Sequence, residues 1–216
     1  MKFCPKLFSA SGIFCAMVLL HACVQKNNKD SVSAIKDSIR TPVGNAYAGI
    51  DQSPMDIGYF PPDYPQEKMT TVKNTAPPVA RIIYSRPHKK NRIIFSDNEK
   101  SLCPYGKLWR LGANEATEIE FFQSVVINEK NIPAGRYIVY CIPFADKWVV
   151  ALNNDLYSWG LKIDTTKDLI RTEVPVQKQN PVIEDFTIVF QPASYGADLL
   201  MAWDDVKTIL PIAFSK

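Results

Sequence analysis

Thr117-Glu118-Ile119-Glu120-Phe121-Phe122 and, further along the chain, Arg136-Tyr137-Ile138-Val139-Tyr140-Cys141-Ile142 decide the fold class. In the first stretch Ile119 and Phe121 alternate with Glu118 and Glu120, the period of a strand with one dry face and one wet face. In the second, Tyr137, Val139 and Cys141 alternate with Ile138, Tyr140 and Ile142, so both faces are apolar, as suits an inner strand. The same texture extends outward from these two. Val79–Ser85, Asn91–Phe95, Ser124–Ile127, Trp148–Leu152, Leu169–Val176, Asp185–Phe190, Asp198–Trp203 and Lys207–Ile212 are short runs rich in β-branched and aromatic residues, each bounded by Pro, Gly, Asn or Asp. About ten short strands at this spacing predict an all-β fold, an antiparallel β-sandwich. Asn153-Asn154-Asp155 and Asp204-Asp205 read as turns, and Leu102–Asn114 is expected to hold a short helical turn.

The rest of the composition is consistent with one such domain plus extensions. The chain has 216 residues, 46% of them apolar and 11% aromatic, enough to bury a core. Its net charge of +3 is too weak for a nucleic-acid binder, which needs a dense basic face. No G-x-G-x-x-G, G-x-x-x-x-G-K-[ST] or H-E-x-x-H motif occurs.

The N-terminus carries an address. Lys2 and Lys6 precede an uncharged apolar stretch from Leu7 to Leu20, too short for a comfortable membrane span of about 20 residues, and small residues follow. This is the order of a secretory signal peptide over residues 1–22. Leu20-His21-Ala22-Cys23 resembles the lipobox of bacterial lipoproteins, in which the cysteine is lipidated and becomes the new first residue. The polar run from Val24 to Asp30 favours this reading over an unlipidated signal peptide or an uncleaved anchor. Cleavage leaves His88 as the only histidine, because His21 departs with the leader. A zinc site with two His ligands is then excluded, and any Ser-His-Asp set would have to use His88. No metal or cofactor is expected.

Residues 23–78 read as a lipidated cysteine followed by a tether. Val24 to Pro78 holds seven of the sixteen prolines, and its first half has no sustained pattern. The second half, Ser53 to Pro65, concentrates Tyr, Phe and Pro, and is expected to lie along the domain in extended form or to dock a partner. Residues 79–216 form the sandwich domain. Within it, Cys103 and Cys141 either pair as a disulfide in an oxidising compartment or stay buried as small apolar residues. Glu118 and Glu120 share one strand face, the arrangement glycoside hydrolysis uses, but alternating Glu is also ordinary on a wet face. Trp148, Trp159 and Trp203 either build a sugar-stacking platform or belong to the core.

Several motifs carry a family resemblance. Tyr84-Ser85-Arg86-Pro87, Arg92-Ile93-Ile94-Phe95 and Pro104-Tyr105-Gly106-Lys107-Leu108-Trp109-Arg110-Leu111-Gly112-Ala113-Asn114-Glu115-Ala116-Thr117 resemble DUF2911. The likeness continues through Ile132-Pro133-Ala134-Gly135-Arg136-Tyr137, Ile142-Pro143, Trp148, Asn153 and Trp159-Gly160. That resemblance implies an exported bacterial protein and lends no mechanism. Its strongest motifs gather Arg86, Arg110, Asn114 and Glu115, with Trp109 and Tyr105 close by. Arg offers a planar fork to a carboxylate or polyol, Asn and Glu fix orientation, and aromatics cover a ring face, so this cluster is the candidate ligand site. The competing reading pairs Arg110 with Glu115 to hold the loop.

These features predict a lipid-anchored protein of the outer membrane, on its periplasmic or outer face. It is expected to serve as a non-catalytic binding or accessory component of an envelope assembly, with an envelope protein complex or a carbohydrate as partner and no nucleic acid. A hydrolase acting on glycans or small ligands through Arg86, Arg110, Asn114 and Glu115 is the alternative, which requires these side chains to converge in one cleft. No catalytic residue is assigned, and enzymatic activity is left open.

Overall fold

The computed structural model describes residues 51–70 and 76–214. The signal segment, Cys23 and the first half of the tether lie outside them. Twelve strands follow in chain order: β1 (Met55–Phe60), β2 (Ala80–Ser85), β3 (Phe95–Ser96), β4 (Cys103–Pro104), β5 (Thr117–Phe121), β6 (Val125–Ile127), β7 (Lys130–Ile132), β8 (Gly135–Pro143), β9 (Lys147–Asn153), β10 (Asp168–Pro175), β11 (Gln177–Ala193) and β12 (Gly196–Phe214). One short helix, α1 (Tyr64–Thr70), follows β1, and a single 3-10 turn (Thr165–Lys167) precedes β10.

The strands form a six-stranded sheet in the order β1-β2-β5-β8-β9-β10 and a four-stranded sheet in the order β11-β12-β6-β7, antiparallel throughout. A two-residue parallel pair, β3-β4, stands apart. One core joins the two large sheets: Ile82, Phe121, Val139 and Val150 come from the first, Ile188, Leu199, Met201 and Leu210 from the second. The chain is an antiparallel β-sandwich, as its alternating patterns predict. At one end Phe95, Trp109, Trp148, Phe186 and Trp203 interlock, with Trp109 4.8 Å from Phe186 and 5.6–5.8 Å from the other three by ring centroid.

Several elements differ from the sequence expectation, each for a local reason. Asp204-Asp205 does not reverse the chain. It is a bulge inside β12, with Asp204 at φ +57°, a left-handed conformation that Asp tolerates, and the two expected strands on either side are one. Asn91–Phe95 is not a strand before its last residue, because Lys90 and Asn91 take positive φ in a turn closed by Arg92 N–H to the Lys89 carbonyl. Leu102–Asn114 holds no helix: Gly106, Leu111 and Asn114 at positive φ interrupt any helical run. The only α-helix among the described residues is α1, which begins at Tyr64, at the end of the stretch from Ser53 to Pro65 expected to be extended. The Pro-rich segment before it contributes β1, which pairs along its whole length with β2, so the sheet begins upstream of Val79. β7 was not foreseen. It pairs with β6 across Asn128-Glu129, both at positive φ, the geometry of a two-residue hairpin whose twist matches its strands.

The doubly apolar β8 has a specific cause. Tyr137, Val139 and Cys141 enter the main core, while Ile138 and Tyr140 enter a second cluster on the other face with Ala116, Ala151 and Ile163. Residues 154–164 fold over that face and supply Leu156 and Ile163. Asn153, fully buried, ties this loop down: its Nδ2 donates to the Asp164 carbonyl (2.9 Å) and to Asp168 Oδ1 (2.7 Å), and its Oδ1 accepts from Asp155 N–H (2.6 Å).

Tyr84 couples three strands. Its hydroxyl donates to Asp56 Oδ2 (3.2 Å) on β1 and accepts from Ile188 N–H (3.0 Å) on β11. Burial pushes its phenol up to about 12, whereas an unfolded tyrosine titrates near 10. The folded state therefore holds the proton more tightly. The associated stability is complete below about pH 10 and is lost as pH rises toward about 12, by an amount on the order of 2 kcal/mol. Tyr140 and Cys141 shift the same way through burial. Urea midpoints are expected to hold at about pH 8 and to fall by about pH 11.5; a midpoint flat across that window would contradict the assignment.

Candidate functional site

The loop from Tyr105 to Ala116 is built by its own motif. Trp109 inserts into the aromatic cluster, donates Nε1–H to the Gly112 carbonyl (3.1 Å) and exchanges backbone bonds with Cys141 (2.8 and 2.9 Å). Leu111 is fully buried, and Thr117 Oγ1 donates to its carbonyl (2.5 Å). Gly112 packs against β2 so closely that a Cβ would stand 2.9 Å from the Ser85 carbonyl oxygen. Asn114 Nδ2 donates to Asp51 Oδ2 (2.6 Å) and to the Ser53 carbonyl (3.4 Å), which fixes the entry of the chain into β1.

Arg110 connects this loop to the next. Its Nη1 donates to the carbonyls of Asn114 and Trp159 (3.1 Å to the latter), and its aliphatic stem lies under Gly160. Gly160 is at φ +85°, and a Cβ there would meet Arg110 Cβ at 2.7 Å and Ala116 Cα at 3.1 Å, so both the backbone conformation and the space require glycine. The 154–164 loop is thereby held with alternate residues facing out: Tyr157, Trp159 and Leu161 are 83%, 58% and 71% exposed.

Beside this junction lies an open hollow of about 300 Å³, lined by Arg92, Arg110, Leu102, Leu108, Trp109 and Leu161 together with Ser53, Pro87 and small residues. Burial lowers the affinity of the Arg110 guanidinium for its proton, from a value so high that the group stays charged.

Of the four residues expected to form one cluster, only Arg110 lines this hollow. Arg86 is engaged elsewhere, donating to Asp56 Oδ2 (3.2 Å), Thr187 Oγ1 (3.1 Å) and the Phe186 carbonyl (3.2 Å). Asn114 serves the chain entry described above. Glu115 is exposed beside a separate hollow of about 200 Å³ with Tyr84 and Glu118, and makes no ion pair with Arg110. Arg110 instead donates through Nη1 to two backbone carbonyls. Arg92 was missed as a lining residue because its apolar neighbours Ile93, Ile94 and Phe95 read as a strand, which hides a turn.

The remaining candidates have structural placements. Glu118 accepts from Arg136 (2.6 Å) and Glu120 from Arg81, forming ion pairs on the outer sheet face. Trp148 and Trp203 are core residues, and Trp159 alone of the expected platform is exposed. His88 pairs through Nδ1 with Asp185. Cys103 and Cys141 are buried free thiols, and burial pushes both upward, Cys141 further under the influence of Cys103. Among the described residues no group of three His, Cys, Asp or Glu is placed to hold a metal ion.

No curated protein and no solved structure matches this chain. The sequence profile of a protein family of unknown function matches residues 65–212, from α1 through most of β12, and takes in both loops that meet at Arg110. The chain belongs to the DUF2911 family.

Proposed function

We propose that this protein is a lipid-anchored, non-catalytic binding or accessory component of an assembly at the outer membrane. The observation that carries the reading is the outward row of Tyr157, Trp159 and Leu161, held on a loop pinned by Asn153, Gly160 and Arg110. Isolated exposed apolar residues need no explanation, but large aromatics gathered on a rigid loop are characteristic of interface centres. The lipid anchor rests on Leu20-His21-Ala22-Cys23 and the apolar stretch before it. An anchored domain searches for partners in two dimensions, which raises its effective concentration beside any envelope complex.

Pull-down of the tagged full chain from native membranes in a mild detergent tests this. A stoichiometric partner is expected, weakened by Trp159→Ala or Leu161→Glu. Recovery of the protein alone, or a partner retained equally by both variants, would overturn it. The hydrolase alternative draws support only from the hollow at Arg110, and would need its acid and base from residues other than Glu115 and Arg86.

A further inference from the structure

Two arginines line the 300 Å³ hollow and no carboxylate does. Elsewhere on the domain the pattern is different: Arg81, Arg86, Arg136 and Arg171 each face an Asp or Glu within 4 Å. Among the described residues Arg92 and Arg110 form no such pair. Arg92 spends Nε and Nη2 on the carbonyls of Lys89 (3.0 Å) and His88, leaving Nη1 without a protein partner among the described residues. Among the described residues Arg110 spends only Nη1, which leaves its Nε–Nη2 edge, the edge that takes a carboxylate through two parallel hydrogen bonds.

The surroundings reinforce the imbalance. Two further hollows share Arg92, one bringing Lys100 and the other Lys90, and neither is lined by an acid. Of the acids on neighbouring segments, Asp185 pairs with His88 and Glu99 with Lys107, while Asp51 and Glu184 accept from the neutral donors Asn114 Nδ2 and Lys90 N–H. A partly buried guanidinium without a counter-charge loses hydration that the two carbonyls at Arg110 Nη1 replace only in part. Leu102, Leu108 and Leu161 form the apolar part of the wall.

We propose that this hollow binds a small organic anion, a carboxylate or phosphate carried on a compact apolar body. The Nε–Nη2 edge of Arg110 and Nη1 of Arg92 take the anionic group, and the three leucines take the body. This goes beyond the assembly role and does not depend on it: Leu161 belongs to both surfaces, but Trp159→Ala reads the loop alone and Arg92→Gln the hollow alone.

The test uses the detergent-solubilised full chain and three probes observed by saturation-transfer NMR and titration: benzoate, phenyl phosphate and the neutral isostere benzamide. At least one anion is expected to bind, with benzamide about tenfold weaker or more, as the loss of a charge-assisted hydrogen bond implies. The comparison of benzoate with phenyl phosphate reads which anionic group is preferred. Arg92→Gln, at an exposed position, is expected to weaken the anion about tenfold. Arg110→Gln is expected to weaken it at least as much, and is scored by its affinity only with an unchanged melting temperature. Binding of benzamide as tight as benzoate, anion affinity unchanged in Arg92→Gln, or no binding of any probe would each overturn the proposal. Anion binding by a chain that recovers no partner from membranes would refute the assembly role and leave this site standing.

Discussion

Replacing Trp109 by alanine is expected to remove about 3–5 kcal/mol of stability, the usual cost of emptying a large aromatic site in a packed core. For a domain whose total stability is on the order of 5–15 kcal/mol, that is a large share. Trp109 sits among Phe95, Trp148, Phe186 and Trp203, and a void at its position strips ring contacts from all four. It also anchors the Arg110 loop to the core through Nε1–H to the Gly112 carbonyl, so truncation loosens the hollow along with the core. Trp109→Phe keeps most of the ring contact and loses that hydrogen bond, and is expected to cost about 1–2 kcal/mol. Denaturant midpoints of the two variants check the order. A loss below about 1 kcal/mol for Trp109→Ala would mean that the aromatic cluster collapses around the gap without penalty.

Cys23→Ser is expected to leave the fold intact and move the protein out of the membrane fraction. Cys23 lies more than thirty positions before Met55, where the sheet begins. The described residues contain no helix long and apolar enough to cross a membrane. Several acyl chains on one residue hold firmly at about 0.8 kcal/mol per buried CH₂, whereas a single chain binds marginally. Fractionation of cells carrying the serine variant decides it. Membrane retention resistant to salt and alkaline washing would mean that the stretch from Leu7 to Leu20 remains as an uncleaved anchor.

The sandwich was legible because its strands alternate. Ile119 and Phe121 point inward and their Glu neighbours outward, and a period of two leaves few other folds open. The doubly apolar β8 was legible as an inner strand, but its cause was not. Its second face is covered by a loop, residues 154–164, whose Leu156 and Ile163 show no strand or helix period. Boundaries failed where an unusual backbone mattered more than composition. Asp204 bulges within a strand, and Lys90 and Asn91 turn before one, both through positive φ that residue type only weakly signals.

The candidate site was legible only in part, for a related reason. A motif such as WR-x-GANEAT gathers polar residues in sequence, yet successive residues of an irregular loop point in different directions. Arg110 reaches across to Trp159, Asn114 reaches back to Asp51, and Glu115 faces solvent. The partner that shares the hollow with Arg110 is Arg92, eighteen positions earlier, brought there by the turn at Lys89–Arg92. The outward row on the 154–164 loop was visible only at Trp159-Gly160, where the glycine marks the close approach to Arg110 rather than the surface beside it.

The most direct measurement of the central claim places a photo-reactive amino acid at Leu161 in cells and compares it with the same residue at Val182, an exposed position on β11. One dominant crosslinked partner is expected from position 161, recovered from the membrane fraction, and none from position 182. Absence of an adduct at 161, or the same adducts from both positions, would contradict it.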